Sequence, residues 1–179
     1  MQAVLPHTYF HDRTFMQSYC KGRTTHRKKI KLKGLHVMIR NFKENDIDVV
    51  MNIWLETNIA AHNFIESSYW RDNFNDVKKM IPEASVYAYE EQGEVKGFIG
   101  LVDGYIAGIF VRSEYQSKGI GRNLLNYAKS IHNNLSLQVY KKNKGAVQFY
   151  LKEDFSITKE QIDESTGETE FVMSWTIAQ

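Results

Sequence analysis

The chain reads as one mixed α/β domain, and three observations point to that class. Apolar residues recur with helical and strand periods in the order β-α-α-β-β-β-α-β-α-β-β. One segment, residues 105–111, is almost wholly apolar, as expected of a strand covered on both faces. A glycine-containing turn, Gln116-Ser117-Lys118-Gly119-Ile120-Gly121, then leads into a long amphipathic stretch. At 179 residues, the chain is long enough to bury one sizeable core and too short to suggest two.

The elements follow in order. Val37-Met38-Ile39-Arg40-Asn41-Phe42 reads as a first strand, and Asn45 or Asp46 can cap the helix after it. Ile47, Val50, Met51, Trp54 and Leu55 form one apolar helix face. Residues 58–68 have no clear period and read as a loop. A second helix carries Trp70, Phe74, Val77 and Ile81, and Pro82 ends it because the residue before proline is pushed out of helical geometry. Three strands come next, at 85–90, 95–102 and 105–111, with Asp103-Gly104 as a strong hairpin signal. Ile120, Leu124, Leu125, Ala128 and Ile131 mark the long helix. A strand at 135–139, a short helix at 144–151 and strands at 155–158 and 171–177 complete the pattern.

The net charge of +2 conceals an asymmetry. Residues 1–37 carry Arg13, Lys21, Arg23, Arg27, Lys28, Lys29, Lys31 and Lys33 against the single acid Asp12, so the remainder is net acidic. The expected organisation is a basic leader at 1–37, without a fold of its own or upstream of the natural start, and a domain at 38–179. A nucleic-acid-binding arm is the competing reading, but no nucleic-acid fold signature or interleaved aromatic surface accompanies the charge. No run approaches the ~20 apolar residues of a membrane span, and no secretory h-region opens the chain. Cys20 is the only cysteine, which excludes an internal disulfide and fits a reducing cytoplasm. A metal is not expected. His7, His11, His26 and His36 lie in the leader, and no Cys/His cluster has zinc spacing.

The chemical signal is the turn at 116–121. Several backbone N–H groups converge at a helix start, where the helix dipole adds partial positive charge, so a phosphate can bind. Gly119 and Gly121 allow close backbone approach, while Lys118 and Arg122 add charge. A Rossmann fingerprint fails because Leu124 stands where its third glycine belongs, and a P-loop fails because the order is Ser117-Lys118-Gly119. The pattern Gln-x-x-Gly-x-Gly resembles the pyrophosphate loop of the GNAT N-acetyltransferase superfamily. The later run Asn143-Lys144-Gly145-Ala146-Val147-Gln148-Phe149-Tyr150 resembles the same family's following helix. The resemblance extends from Met38 to about Trp175 and is strongest to small bacterial acetyltransferases. It includes His62-Asn63-Phe64-Ile65, Tyr69-Trp70-Arg71-Asp72 and Met173-Ser174-Trp175. One departure is Glu153-Asp154-Phe155, where the family usually has glycine before phenylalanine.

The resemblance implies a GNAT fold, acetyl-CoA as donor and a primary amine as acceptor, either a protein lysine or a small molecule. It implies that Gln116, Ser117, Lys118, Gly119, Ile120, Gly121 and Arg122 hold the pyrophosphate, and that backbone groups of Ile109, Phe110 and Val111 hold the pantetheine and polarise the thioester. Asn143 would contact the cofactor, cap its helix, or do both. Tyr150 matches the family's general acid for the departing thiolate; its plainer reading is a core aromatic beside Phe149. His62, Phe64, Trp70 and Tyr105, with Ile65 and Tyr69, are the expected acceptor pocket, although Phe64, Ile65 and Trp70 could equally cover the core. No base is evident, because residues 105–111 contain no carboxylate. Asp103 acting through water, His62, or no base at all remain open. A non-catalytic acyl-CoA sensor is the alternative outside the enzyme class.

Overall fold

A computed structural model of the chain describes residues 28–32 and 35–177, with side chains from Val37 onward. An eight-stranded sheet forms its centre. Strands β1 (Lys28–Leu32), β2 (Leu35–Asn41), β3 (Ser85–Glu91), β4 (Glu94–Val102) and β5 (Tyr105–Val111) pair antiparallel in sequence order. Strands β6 (Asn134–Tyr140), β8 (Thr169–Thr176) and β7 (Ser156–Ile162) complete the order β1-β2-β3-β4-β5-β6-β8-β7. The helices are α1 (Ile47–Ala61), α2 (Ser67–Asp72), α3 (Phe74–Met80), α4 (Ile120–Ile131) and α5 (Lys144–Lys152).

Each face of the sheet carries its own core. Helices α4 and α5 bury Leu124, Leu125, Ala128, Ala146 and Phe149 against Ile99, Ile109, Leu137 and Val139. On the other face, α1, α2 and α3 bury Val50, Met51, Trp54, Trp70 and Val77 against Phe98, Phe110 and Tyr140. Strand β5 serves both, which is why all seven of its residues are buried and why it reads as an unbroken apolar run.

Two features depart from the expected element order. The sheet extends into the segment read as leader, because Lys28–Leu32 pairs antiparallel with β2; residues 1–27, 33 and 34 lie outside the described residues. The expected second helix is divided at Asn73, whose Nδ2 donates to the Tyr69 carbonyl at 2.7 Å and ends the first turn-and-a-half as α2. Asp46 opens α1 but does not cap it by side chain. Its carboxylate instead accepts the Lys43 N–H and both terminal nitrogens of Arg40, whose Nε donates to Glu90. This buried ion triad joins β2, β3 and the entry to α1.

The two turns beside β4 follow the expected chemistry. Gln92-Gly93 and Asp103-Gly104 all have positive φ, the geometry of two-residue hairpin loops. Asp154 occupies the place where the family resemblance led to a glycine, and its φ of 66° is one that glycine adopts without strain. Asp154 N–H donates to the Leu151 carbonyl and Phe155 N–H to the Tyr150 carbonyl, the paired bonds of a Schellman helix end. The Phe155 ring closes on the Tyr150 ring at 5.4 Å.

Candidate active site

The site begins where two strands separate. Among the described residues, β5 and β6 are the one parallel pair of neighbours, and they are paired at Tyr105 and Ser136 alone. Beyond that bridge the strands open into a fork. The ladder on the other side of β5 determines which backbone groups face the opening. Arg112 N–H donates to the Lys96 carbonyl, so Lys96–Arg112 is a hydrogen-bonded pair, and by alternation Phe98–Phe110 is another. Ile109 and Val111 therefore turn their amides away from β4, toward the fork. Of the three residues expected to hold the pantetheine, Ile109 and Val111 have the required orientation. Phe110 is a correction: its backbone belongs to the β4 ladder and its side chain stacks on Phe98 at 4.8 Å.

Below the fork, the turn at 116–122 shapes a cleft of about 350 Å³ lined by Val111, Tyr115, Gln116, Ser117, Gly119, Gly121, Arg122 and Phe149. Gln116 Nε2 donates to the Val111 carbonyl at 2.9 Å, tying the turn to the end of β5. Ser117 and Gly119 both have positive φ, 60° and 83°, so the chain curls before α4 begins at Ile120. This curl presents successive amides at a helix start, the arrangement that receives phosphate. Space beyond Gly119 is open, whereas a Cβ on Gly121 would make ordinary contact with Phe149 and Ile109. Ile120 is buried and anchors the helix rather than lining the cleft. Lys118 lies over the Tyr115 ring. Arg122 is partly committed elsewhere, its Nε donating to the buried Glu153 carboxylate at 2.5 Å. Phe149, from the 143–150 run, lines the cleft, and so does Tyr115, whose only signal in the sequence is adjacency to the turn.

Tyr150 projects from α5 into the core on the α4–α5 face, fully buried between Phe149 and Phe155. Asn143 caps α5, its Oδ1 accepting from Ala146 N–H at 3.2 Å. Its Nδ2 lies 3.1 Å from His62 Nε2. His62 Nδ1 lies 3.1 Å from the Asn58 carbonyl, an acceptor only, so Nδ1 carries the proton and Nε2 accepts from Asn143. Burial pushes the His62 imidazole down to about 4, against the raising effect of the Asn58 carbonyl. His62 is therefore neutral near pH 7 with both nitrogens engaged, a histidine hydrogen-bonded to backbone and not the free imidazole that a base would need.

The other expected pocket residues gather around it on the α1–α2 face. Trp70 stacks on His62 at 5.2 Å and is buried against Trp54, a core position. Phe64 is half-buried, edge-on to Tyr140 at 5.7 Å, with Lys142 Nζ above its ring. Tyr69 reaches Ser165 Oγ at 3.2 Å, and Tyr140 donates to Asp163 at 2.5 Å, so the loop after β7 is tied to α2 and β6. Tyr105 donates to Gln138 Oε1 at 2.8 Å, and Gln138 Nε2 donates to Glu170 Oε1 at 2.8 Å. Asp103 lies in the hairpin turn ahead of Tyr105. Gln138, Glu170 and Asp163 were not evident from the sequence. A polar residue alternating with apolar ones in a strand reads as solvent-facing, yet Gln138 and Glu170 lie on the side of the second core, and Asp163 in the loop after β7 is buried beside Tyr140. Among the described residues, no group of three His, Cys, Asp or Glu side chains could hold a metal ion, and no helix is long and apolar enough to cross a membrane.

This geometry has known counterparts. The family model described as Acetyltransferase (GNAT) domain matches residues 56–177. The chain is 32% identical over 144 residues to the peptidyl-lysine N-acetyltransferase YiaC of Escherichia coli, spanning 79% of this chain and 99% of that protein. It is 27% identical over 130 residues to the peptidyl-lysine N-acetyltransferase YjaB of the same organism, spanning 72% of this chain and 88% of the relative. The solution structure of apo YjaB superposes with a TM-score of 0.71 at 24% identity, covering 79% of this chain and 99% of that one. The PaiA N-acetyltransferase of Thermoplasma acidophilum, solved with coenzyme A, gives 0.67 at 18% identity, covering 79% and 99%. The strand fork, the curled turn before α4 and these likenesses have one explanation: the chain belongs to the GNAT family and is an N-acetyltransferase that takes its acetyl group from acetyl-CoA and passes it to an amine.

Proposed function

We propose that the acceptor is a lysine side chain of a protein or peptide. The observation that carries this reading is the similarity to YiaC, which spans nearly all of that relative and whose name states a peptidyl-lysine acceptor. The transferase domain is taken as residues 38–179, with β1 and the start of β2 added to its sheet from the segment before it, and its place as the cytoplasm, on the use of acetyl-CoA and a single cysteine. In this reading the turn at 116–122 binds the pyrophosphate, and the amides of Ile109 and Val111 receive the pantetheine and polarise the thioester carbonyl. Hydrogen bonds aimed at a developing oxyanion are often the largest catalytic contribution.

The amine attacks the thioester carbon directly from the α1–α2 face, between Phe64 and Tyr105. Tyr150, on the opposite face with the cofactor turn, gives its proton to the departing thiolate. A phenol of pKa ~10 is a suitable acid for an alkyl thiolate. His62 and Trp70 shape the acceptor side without touching the amine, by holding α1, α2 and α5 together through Asn143. The test is acetyl-CoA turnover by the full chain against peptides with one free lysine and against small amines, polyamines included. Turnover of the peptides above the small amines supports the reading; the reverse order makes the protein a small-amine acetyltransferase, and no turnover with any amine leaves only acyl-CoA binding.

A further inference from the structure

The missing base has a candidate outside every segment the sequence analysis marked. Glu170, the second residue of β8, lies directly opposite Tyr140 on β6, so its side chain shares a face with Tyr140 and Gln138. That is the α1–α2 face, because the alternate residues Leu137 and Val139 pack with α4 and α5. Glu170 is 2% exposed. Its Oε1 accepts two amide donors, Gln138 Nε2 and Gln161 Nε2, each at 2.8 Å. Its Oε2 is buried with no hydrogen-bond partner. Among the described residues no ion pair includes it. A buried carboxylate oxygen without a donor is costly, and such groups persist at functional sites. Through Gln138, the carboxylate is linked to Tyr105, the residue at the fork where β5 and β6 part.

We propose that Glu170 is the general base of the acetyl transfer, its Oε2 taking a proton from the acceptor's ammonium group. The neutral amine then forms the C–N bond to the thioester carbonyl carbon, and the C–S bond breaks. The thiolate receives the Tyr150 proton. The second proton lost by the nitrogen as the amide forms replaces it, and Glu170 returns its own proton to solvent. Acid and base thus lie on opposite faces of the sheet, as leaving group and nucleophile do. This rests on the amine-acetylating reading above.

The surroundings suit the task. Burial raises the Glu170 carboxyl above the ordinary range, the Gln161 hydrogen bond opposes this, and the nearby Asp163 charge adds to it. The ionisable groups on the elements around it are Tyr140 on β6, Tyr105 on β5, Lys159 on β7, Asp163 after β7, and Tyr69 and neutral His62 on the helical side. Of the lysines just after β6, Lys141 pairs with Glu160 and Lys142 with Glu168, so among the described residues no lysine pairs with Glu170.

The experiment compares the full chain with Glu170→Gln on a peptide bearing one free lysine, across pH. Glutamine keeps a carbonyl for Gln138 and Gln161, and calorimetry with acetyl-CoA plus a thermal melt confirm that the variant folds. The expected loss in kcat/KM is about 10²-fold near neutral pH. The profiles should also differ in shape. The wild type reaches a plateau once Glu170 is deprotonated. In the variant only free amine reacts, so kcat/KM keeps climbing toward the amine's own pKa of ~10.4. An infrared titration should find a protonated-carboxyl band in the wild type that Glu170→Gln lacks. Wild-type activity in the variant overturns the assignment, as does reduced activity with the plateau retained, which would make Glu170 a positioning residue for Gln138. A wild type that acetylates no amine overturns the functional reading instead.

Discussion

In the proposed function the site has two halves, and they are built from different materials. The cofactor half is backbone: a curled turn, a helix start and two strand amides, all within residues 109–122. The acceptor half is side chain: His62 with Asn143, Tyr105 with Gln138, Gln138 with Glu170, and Tyr69 with Ser165, joined across the chain. A backbone site depends on φ and on the absence of a Cβ, and it tolerates variation in most side chains. A side-chain network depends on every partner at once, because an unsatisfied buried polar group costs about 1–3 kcal/mol. The acceptor half should therefore be the more sensitive to pH and to single substitutions, while the cofactor half should respond mainly at its glycine positions.

Acid is the strongest way to separate the halves. The folded His62 titrates near 4, below its ordinary 6.5, so the unfolded chain binds the extra proton first. Stability from this group is intact above pH ~6.5 and is lost as pH falls toward 4, by about 3 kcal/mol in all. Urea unfolding of wild type and His62→Gln at pH 7 and near pH 4.5 should show a smaller loss in the variant; equal losses would mean that His62 is not the acid-sensitive group.

Next in size is the effect at Tyr150, the acid of the proposed function. Tyr150→Phe keeps the ring packed against Phe149 and Phe155 and removes only the hydroxyl, so kcat should fall about 10²-fold with little change in acetyl-CoA affinity. An unchanged kcat would reduce Tyr150 to a core aromatic.

For Gly119→Val, holding a β-branched residue at φ near 83° costs about 1–3 kcal/mol. Acetyl-CoA affinity measured by calorimetry should drop about 10–100-fold, with the thermal melt of the apo chain little moved if the turn relaxes instead. Gly121, whose Cβ would meet only ordinary contacts, should be the more tolerant of alanine. Equal affinity losses for Gly119→Ala and Gly121→Ala would show that conformation is not what the turn requires.

The smallest effect is a gain. Asp154 sits at the left-handed position of the α5 helix end, so Asp154→Gly should raise stability by about 0.5–1 kcal/mol without changing kcat. A lowered melting temperature would mean that the carboxylate, close to Lys129, contributes more than the strain removes.

Much of the fold was legible in the residues. The hairpin at Asp103-Gly104, the buried strand at 105–111 and the amphipathic α4 all lie where their patterns place them. The division at Asn73 and the extra strand β1 were not. A side-chain bond to a carbonyl one turn back and a pairing with β2 leave no period to read.

What the sequence determined by itself is the local half of the chemistry. Glycines and helix capping act on the backbone within a few residues, so the turn at 116–122 and the cap at Asn143 are written in neighbouring positions. Tertiary structure alone decided that Phe110 spends its amides on β4, that His62 is sealed against Asn143 81 positions away, and that Tyr69 meets Ser165 across 96. It also decided that Glu170 faces a core and not water. Strand alternation states which residues share a face, but not what covers that face, and only the tertiary gathering of Tyr140, Gln138 and Gln161 around Glu170 converts a polar alternation into a buried carboxylate.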